Sequence, residues 1–231
     1  MGYVFTSYYI VLGVSFLISL IAQIIVKATF NKYTKVPAST GMTGAQAAAT
    51  LLMSQGIGNV SIGRIAGSLT DHYNPSNNTL VLSEPVFGQS SISAIAVAAH
   101  ECGHAMQHAT GYFPLTLRTK LVPAVNISSR VSWIFIIIGL FFYSTVANWF
   151  LYIGIILFSA AVVFQLVTLP VEINASRRAL TLLKQNGILE GNENAAARKV
   201  LNAAALTYVA AACVSILQLL RLIAIARSRS D

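Results

Sequence analysis

Residues 149–169 read WFLYIGIILFSAAVVFQLVTL, an apolar stretch with no charged side chain, closed by Pro170-Val171-Glu172. A helix crosses the hydrocarbon core of a bilayer in about 20 residues, so this stretch has the length and composition of a membrane span. The rest of the chain has the same character. Of its 231 residues 55% are hydrophobic and only 10% charged, where soluble domains carry roughly 25% charge. An integral membrane protein is expected.

Three further segments are apolar enough to join the first: residues 8–26, residues 131–143 with a possible backward extension through residue 122, and residues 203–226, which carry Gln218 and Arg221 near their end. Segment 8–26 has no basic start and no small-residue cleavage site behind it, so it reads as a retained anchor rather than a signal peptide. Residues 144–148, STVAN, carry no charge and read as a tight turn between two spans that cross and return together. The expected fold class is a mainly α membrane protein with about four transmembrane or re-entrant helices and a small α+β domain. The expected organisation is a first membrane helix over 1–30, a water-facing region over 31–118, a helical hairpin over 119–170, a connecting segment over 171–202, and a last apolar helix with a basic tail over 203–231.

Charge placement predicts orientation. Lys27, Lys32 and Lys35 follow the first segment, Arg118, Lys120 and Arg130 precede the second, and Arg177, Arg178, Lys184, Arg198 and Lys199 lie between the third and fourth. Basic residues flanking spans mark the cytoplasmic side, which leaves the uncharged turn and the N-terminus facing out. Arg227 and Arg229 run against a simple four-span count, so the fourth segment either re-enters or tolerates a basic tail outside. The net charge of +8 clusters beside membrane segments, which suits anionic headgroups rather than nucleic acid.

The water-facing region begins with Thr43-Gly44-Ala45-Gln46, a helix start that runs through Met53 to a stop at Gly56. Short branched runs at residues 60–62, 69–73 and 79–82, with the turn-rich Asn74-Pro75-Ser76-Asn77-Asn78 among them, read as a small antiparallel sheet. Then Ser91 offers a helix cap, and Gly111 and Pro114 offer the stop. Between them lies His100-Glu101-Cys102-Gly103-His104, an HExxH motif. Residues four apart stack on one helix face, so both imidazoles can bind one metal while Glu101 serves as general base toward a metal-bound water. No lysine or arginine falls between Arg64 and Arg118, so Glu101 has no local cation. Cys102 falls between the ligand positions, Cys213 lies in the fourth apolar segment, and no disulfide is expected.

Catalytic zinc takes three protein ligands and keeps a fourth position open. His108 lies eight residues past His100, a rise of about 12 Å on a continuous helix, too far for bonds of about 2 Å. The longer HExxHxxGxxH pattern fails because Gln107 and Thr110 occupy its glycine and histidine positions. Glu172 is the better candidate. A carboxylate at the mouth of a membrane helix is costly without a partner, and the alternative to a metal is an ion pair with Arg177 or Arg178. A site of His100, His104 and Glu172 holding one Zn2+ per chain is expected.

The pair HECGH and LPVEINASRRAL, with DHYNPSNNTLVLS between them, resembles the YugP-type neutral zinc metallopeptidases of bacterial membranes over nearly the whole chain. That family in turn is similar to the HtpX and CAAX prenyl proteases, in which the glutamate of an E-x-x-A-D pattern is the third zinc ligand. The resemblance implies that Glu172 is that ligand, with Ala175 in place and Ser176 where the relatives carry aspartate. It also implies a zincin-like fold for residues 31–118 and a strand over residues 79–83, with Leu80 and Leu82, beside the substrate cleft. His72, Tyr73, Asn174 and Arg177 are candidates for stabilising the transition state or binding substrate.

The expected function is a multi-pass metalloendopeptidase of the bacterial cell membrane, cleaving protein or peptide substrates at its cytoplasmic face, with the lipid bilayer as its other partner and no nucleic acid. Two other readings stand beside it. A zinc-binding scaffold or chaperone-like protein without turnover has no use for Glu101. A site-2-type intramembrane protease needs HExxH on a spanning helix, and only about eight apolar residues precede His100.

Overall fold

The computed structural model describes residues 2–142 and 144–229, with side chains from residue 9 onward; Met1, Tyr143 at the expected end of the second span, Ser230 and Asp231 lie outside them. Seven helices and three strands are present among the described residues: α1 (Gly2–Thr34), α2 (Gly44–Ser54), β1 (Ser61–Ile65), β2 (His72–Asn74), β3 (Thr79–Ser83), α3 (Glu84–Phe87), α4 (Ile92–Ala109), α5 (Phe113–Phe141), α6 (Thr145–Gln185) and α7 (Gly191–Arg227). Four of the helices, α1, α5, α6 and α7, are long and apolar enough to cross a membrane. This is a mainly α membrane protein with a small α+β region.

The chain divides into two compact units. One comprises Met1–Ala22, Leu117–Leu169 and Thr207–Asp231. Its helices α5 and α6 meet across glycines. A Cβ on Gly139 would stand 2.7 Å from Leu151, and one on Gly154 would stand 2.7 Å from Ile136. Small residues let backbones approach closely where lipid supplies no hydrophobic drive. Ile136, Leu151, Phe158, Val162, Leu222 and Ile225 form the buried cluster of this unit.

The turn of the hairpin is shorter than the STVAN stretch, because α6 already begins at Thr145 and Ser144 caps it through its hydroxyl, which accepts from Ala147 N at 3.1 Å. The basic tail also finds a place here. The Arg229 guanidinium donates to the carbonyl oxygens of Gly139 and Leu140, in the last turn of α5, where helix carbonyls lack partners and a cation is favoured. The end of α7 and the turn of the hairpin therefore share one end of this unit.

The other unit comprises Gln23–Thr116 and Pro170–Leu206. Its core is formed by α2, α4, β3 and the ends of α6 and α7, with Leu51, Leu80, Leu82, Ile95, Leu183 and Leu189 fully buried. Thr43 and Gln46 start α2 with a reciprocal capping box, which satisfies two of the backbone N–H groups that a helix start leaves open. The sheet differs from the antiparallel expectation: its order is β1-β3-β2, with β1 parallel and β2 antiparallel to β3. Branched runs and turn residues specify strands, but not the partner that each strand takes. Asp71 pins the end of β3, accepting Ser83 N at 2.7 Å and Ser83 Oγ at 2.9 Å.

All four long helices extend past the apolar stretches that mark them. The expected span 149–169 is the middle of α6, which continues through Pro170 to Gln185 as one helix. Pro170 does not end it.

Candidate metal centre

The site lies within the second unit and rests on two helices. Ser91, in extended conformation, accepts from Ala94 N and starts α4; Thr110 and Gly111, at φ +61°, end it. Gly111 supplies the left-handed turn that releases the chain into α5. Pro114 is not a stop but the second residue of α5, where proline costs no hydrogen bond. Along α4 the Ala-rich faces are buried, and His100 and His104 share one side, their rings in edge contact at 4.7 Å between centroids.

Opposite them runs α6. A Cβ on Gly103 would lie 2.5 Å from Ala175 O, so glycine inside the motif is what lets the α6 backbone come this close. That approach delivers Glu172. Its Oε2 lies 3.2 Å from His100 Nε2 and 3.5 Å from His104 Nε2, and one ligand atom from each of the three residues lies within 4.8 Å of the others. Zinc bonds of about 2.0–2.2 Å place tetrahedral ligand atoms about 3.3 Å apart. The donor set, its spacing and its burial fit a zinc ion. Glu172 is only 2% exposed; the Arg178 Nε donates to Asn174 Oδ1 at 2.9 Å, and Arg177 is exposed.

The outer nitrogens are held as well. His100 Nδ1 meets Ser176 Oγ at 3.0 Å, so Ser176 touches the imidazole directly. His104 Nδ1 meets Gln107 Oε1 at 3.0 Å, and Gln107 Nε2 donates to Val171 O at 2.8 Å and to Asn174 Oδ1 at 3.0 Å. Gln107 is a neighbour of this cluster that the motif alone does not reveal. Its spacing of three from His104 places it within reach on the helix surface, and that was the available signal.

Glu101 is buried beside the two histidines on α4. Burial disfavours the His104 cation, but the hydrogen bond with Glu172 and the charges of Glu101 and Glu172 outweigh it, and the His104 pKa lies above its ordinary value. Burial, with the Glu101 charge, pushes the Cys102 thiol well up; it faces α2, within reach of Ala48 O at 3.6 Å. A neutral thiol on that side has no access to the ligand face.

The remaining sequence candidates scatter. His108 continues the histidine stripe but is exposed, and its Nδ1 meets Tyr73 OH at 2.9 Å while that hydroxyl donates to Asn78 Oδ1 at 3.0 Å. Burial holds the Tyr73 phenol above its ordinary pKa. His72 is exposed and its Nδ1 meets Thr70 O. Leu80 and Leu82 are fully buried on the central strand, whose two edges are taken by β1 and β2. β3 is laddered with β1 over residues 79–83 and with β2 over residues 79–81, so over 79–81 neither of its edges is free to pair with a substrate strand. The sheet's free edges belong to β1 and β2.

No solved structure matches the chain. It is 49% identical over 214 residues to "Putative membrane protease YugP" of Bacillus subtilis (strain 168), covering 93% of this chain and 92% of that protein. The model of the family described as "Putative neutral zinc metallopeptidase" matches residues 8–227, and the chain whose α4 and α6 converge on His100, His104 and Glu172 belongs to that family.

Proposed function

We propose that the protein is a membrane-embedded zinc metalloendopeptidase, with His100, His104 and Glu172 as metal ligands and Glu101 as general base, acting on polypeptides at the cytoplasmic membrane face. The observation that carries this reading is the convergence of the three ligand atoms within 4.8 Å beside a buried glutamate on the same helix. Zinc bound by three protein groups keeps an open position, where it lowers the pKa of a water and polarises a carbonyl. Glu101 takes the proton from the attacking water and returns it to the leaving amine. The orientation rests on the basic residues that flank the spans, including Lys27, Lys32, Arg118 and Lys120.

Two features support binding of an extended chain. The β2 strand lies against α4, and Tyr73 of β2 touches His108 one turn beyond His104. The β2 edge not used by β3 offers backbone groups to a substrate strand, and the neutral Tyr73 hydroxyl with His108 is the candidate for stabilising charge beside it. Asn174 Oδ1 receives Gln107 and Arg178, which leaves its Nδ2 as the group that could donate to substrate.

Glu101→Gln tests the reading. The variant is expected to retain stoichiometric zinc and lose about 10²–10⁴-fold in cleavage of an unfolded membrane protein. Equal cleavage by wild type and variant rules out the peptidase assignment.

A further inference from the structure

We propose that Gln107, backed by Asn174 and Arg178, is a positioning residue that dictates which nitrogen of His104 a metal receives, whereas Ser176 leaves His100 free to adjust. The proposal rests on the zinc-site reading above and concerns how the two imidazoles are held.

The inference follows from donor and acceptor polarity. Gln107 is fully buried, so each polar atom of its amide needs a partner. Val171 O is a backbone carbonyl and can only accept, and it lies 2.8 Å from one amide atom of Gln107. That atom is therefore the nitrogen, Nε2. Asn174 Oδ1, 3.0 Å from the same atom, is oriented independently, because the Arg178 Nε that reaches it at 2.9 Å can only donate. Arg178 is itself placed over the Tyr112 ring, at 5.9 Å from its centroid. Both contacts to Nε2 thus demand the same amide orientation, and Oε1 is left facing His104 Nδ1 at 3.0 Å.

An amide oxygen only accepts, so the hydrogen sits on His104 Nδ1. The nitrogen offered to the metal is Nε2, the one turned toward Glu172. At His100 the corresponding partner is the Ser176 hydroxyl, which can donate or accept and imposes no tautomer. One ligand is set before the metal arrives; the other is set by it. Outer partners of this kind are worth about 10–100-fold in metal affinity.

The test measures Zn2+ affinity of the full-length protein in detergent by chelator competition, together with the visible spectrum of the Co2+ form, with circular dichroism as a folding check. Gln107→Leu, which keeps the volume and removes the acceptor, is expected to weaken Zn2+ binding by about 10–100-fold and to shift the Co2+ bands. Gln107→Glu, which restores an acceptor to His104, is expected to bind more tightly than Gln107→Leu; a purely structural Gln107 predicts the reverse, since a buried charge is the harsher change. Ser176→Ala is expected to cost less than Gln107→Leu. If wild type holds Zn2+ and Gln107→Leu matches it, or if Gln107→Glu is the weaker binder, the positioning role is overturned while the zinc site stands. If wild type itself takes up no Zn2+, or Glu172→Ala takes up as much, the zinc site fails instead. Should the Gln107 variants not fold, Arg178→Met against Arg178→Lys decides: loss of affinity with methionine and recovery with lysine supports the relay, and equal affinity in both overturns it.

Discussion

Both units of the molecule bring helices together across glycine, and they differ in what the close approach delivers. In the first unit Gly139 and Gly154 admit Leu151 and Ile136, an apolar contact in a bundle that exposes Phe16, Phe141 and Ile156 to more than three-fifths of their area. In the second unit Gly103 admits the backbone of Ala175, in a core where Leu51, Leu80 and Leu82 are fully buried. The first arrangement suits a surface bathed in lipid, where tight packing takes the place of the hydrophobic effect. The second brings a carboxylate three residues before Ala175 and a hydroxyl one residue after it onto two imidazoles. The same device yields a packed helix pair in one place and a candidate metal centre in the other.

Removing what the second approach delivers has the largest expected effect. Glu172→Ala leaves two imidazoles for a metal that requires three protein ligands, and zinc content is expected to fall below detection after dialysis. His108→Ala, on the same helix stripe, is expected to retain full zinc, because His108 is engaged with Tyr73 outside the ligand trio. Metal analysis of the two purified variants reads the contrast directly, and the opposite pattern reassigns the third ligand.

A methyl group separates the two glycine crossings by consequence rather than by size. Gly103→Ala and Gly154→Ala each force a Cβ into space already taken, at 2.5 Å from Ala175 O and 2.7 Å from Ile136 Cγ1. Overpacking of this kind costs about 1–3 kcal/mol in either place. Only Gly103→Ala is expected to weaken zinc binding, since moving α6 away moves Glu172 with it. Thermal melts should show comparable losses for the two variants, and chelator competition should separate them; equal zinc affinity would show that Gly103 serves packing alone.

The legible parts of this fold are those whose physics is local. Apolar length marks the spans because bilayer thickness sets it, and a spacing of four marks His100 and His104 because a helix turn sets it. The helix ends were less legible: α6 runs sixteen residues past the apolar stretch, to Gln185, because it continues into a protein core where apolarity is no longer required on all sides. Glu172 is singled out by its place at the mouth of an apolar helix, where a carboxylate is costly without a partner, though nothing local says which helix it faces. The parallel pairing of β1 with β3 depends on a crossover that turn residues do not encode. The roles of Gln107 and Gly103 are not legible in the sequence for a common reason. Each looks like filler on α4, and each acquires its meaning from a partner near residue 171 or 175, brought close only by the fold.

The smallest expected effect sharpens the contrast between core and surface within the second unit. Arg64 on β1 and Glu84 at the start of α3 form an ion pair at 2.9 Å, with side chains 59% and 53% exposed. Water screens such a pair, and ordering two mobile side chains offsets most of the attraction, so exposed pairs contribute about 0–1 kcal/mol. Arg64→Ala is therefore expected to shift stability by no more than about that amount and to leave zinc affinity unchanged, measured by thermal melt and chelator competition. A larger loss would mean that β1 is held to α3 by charge rather than by its ladder with β3, and that the small sheet depends on its surface more than its buried leucines indicate.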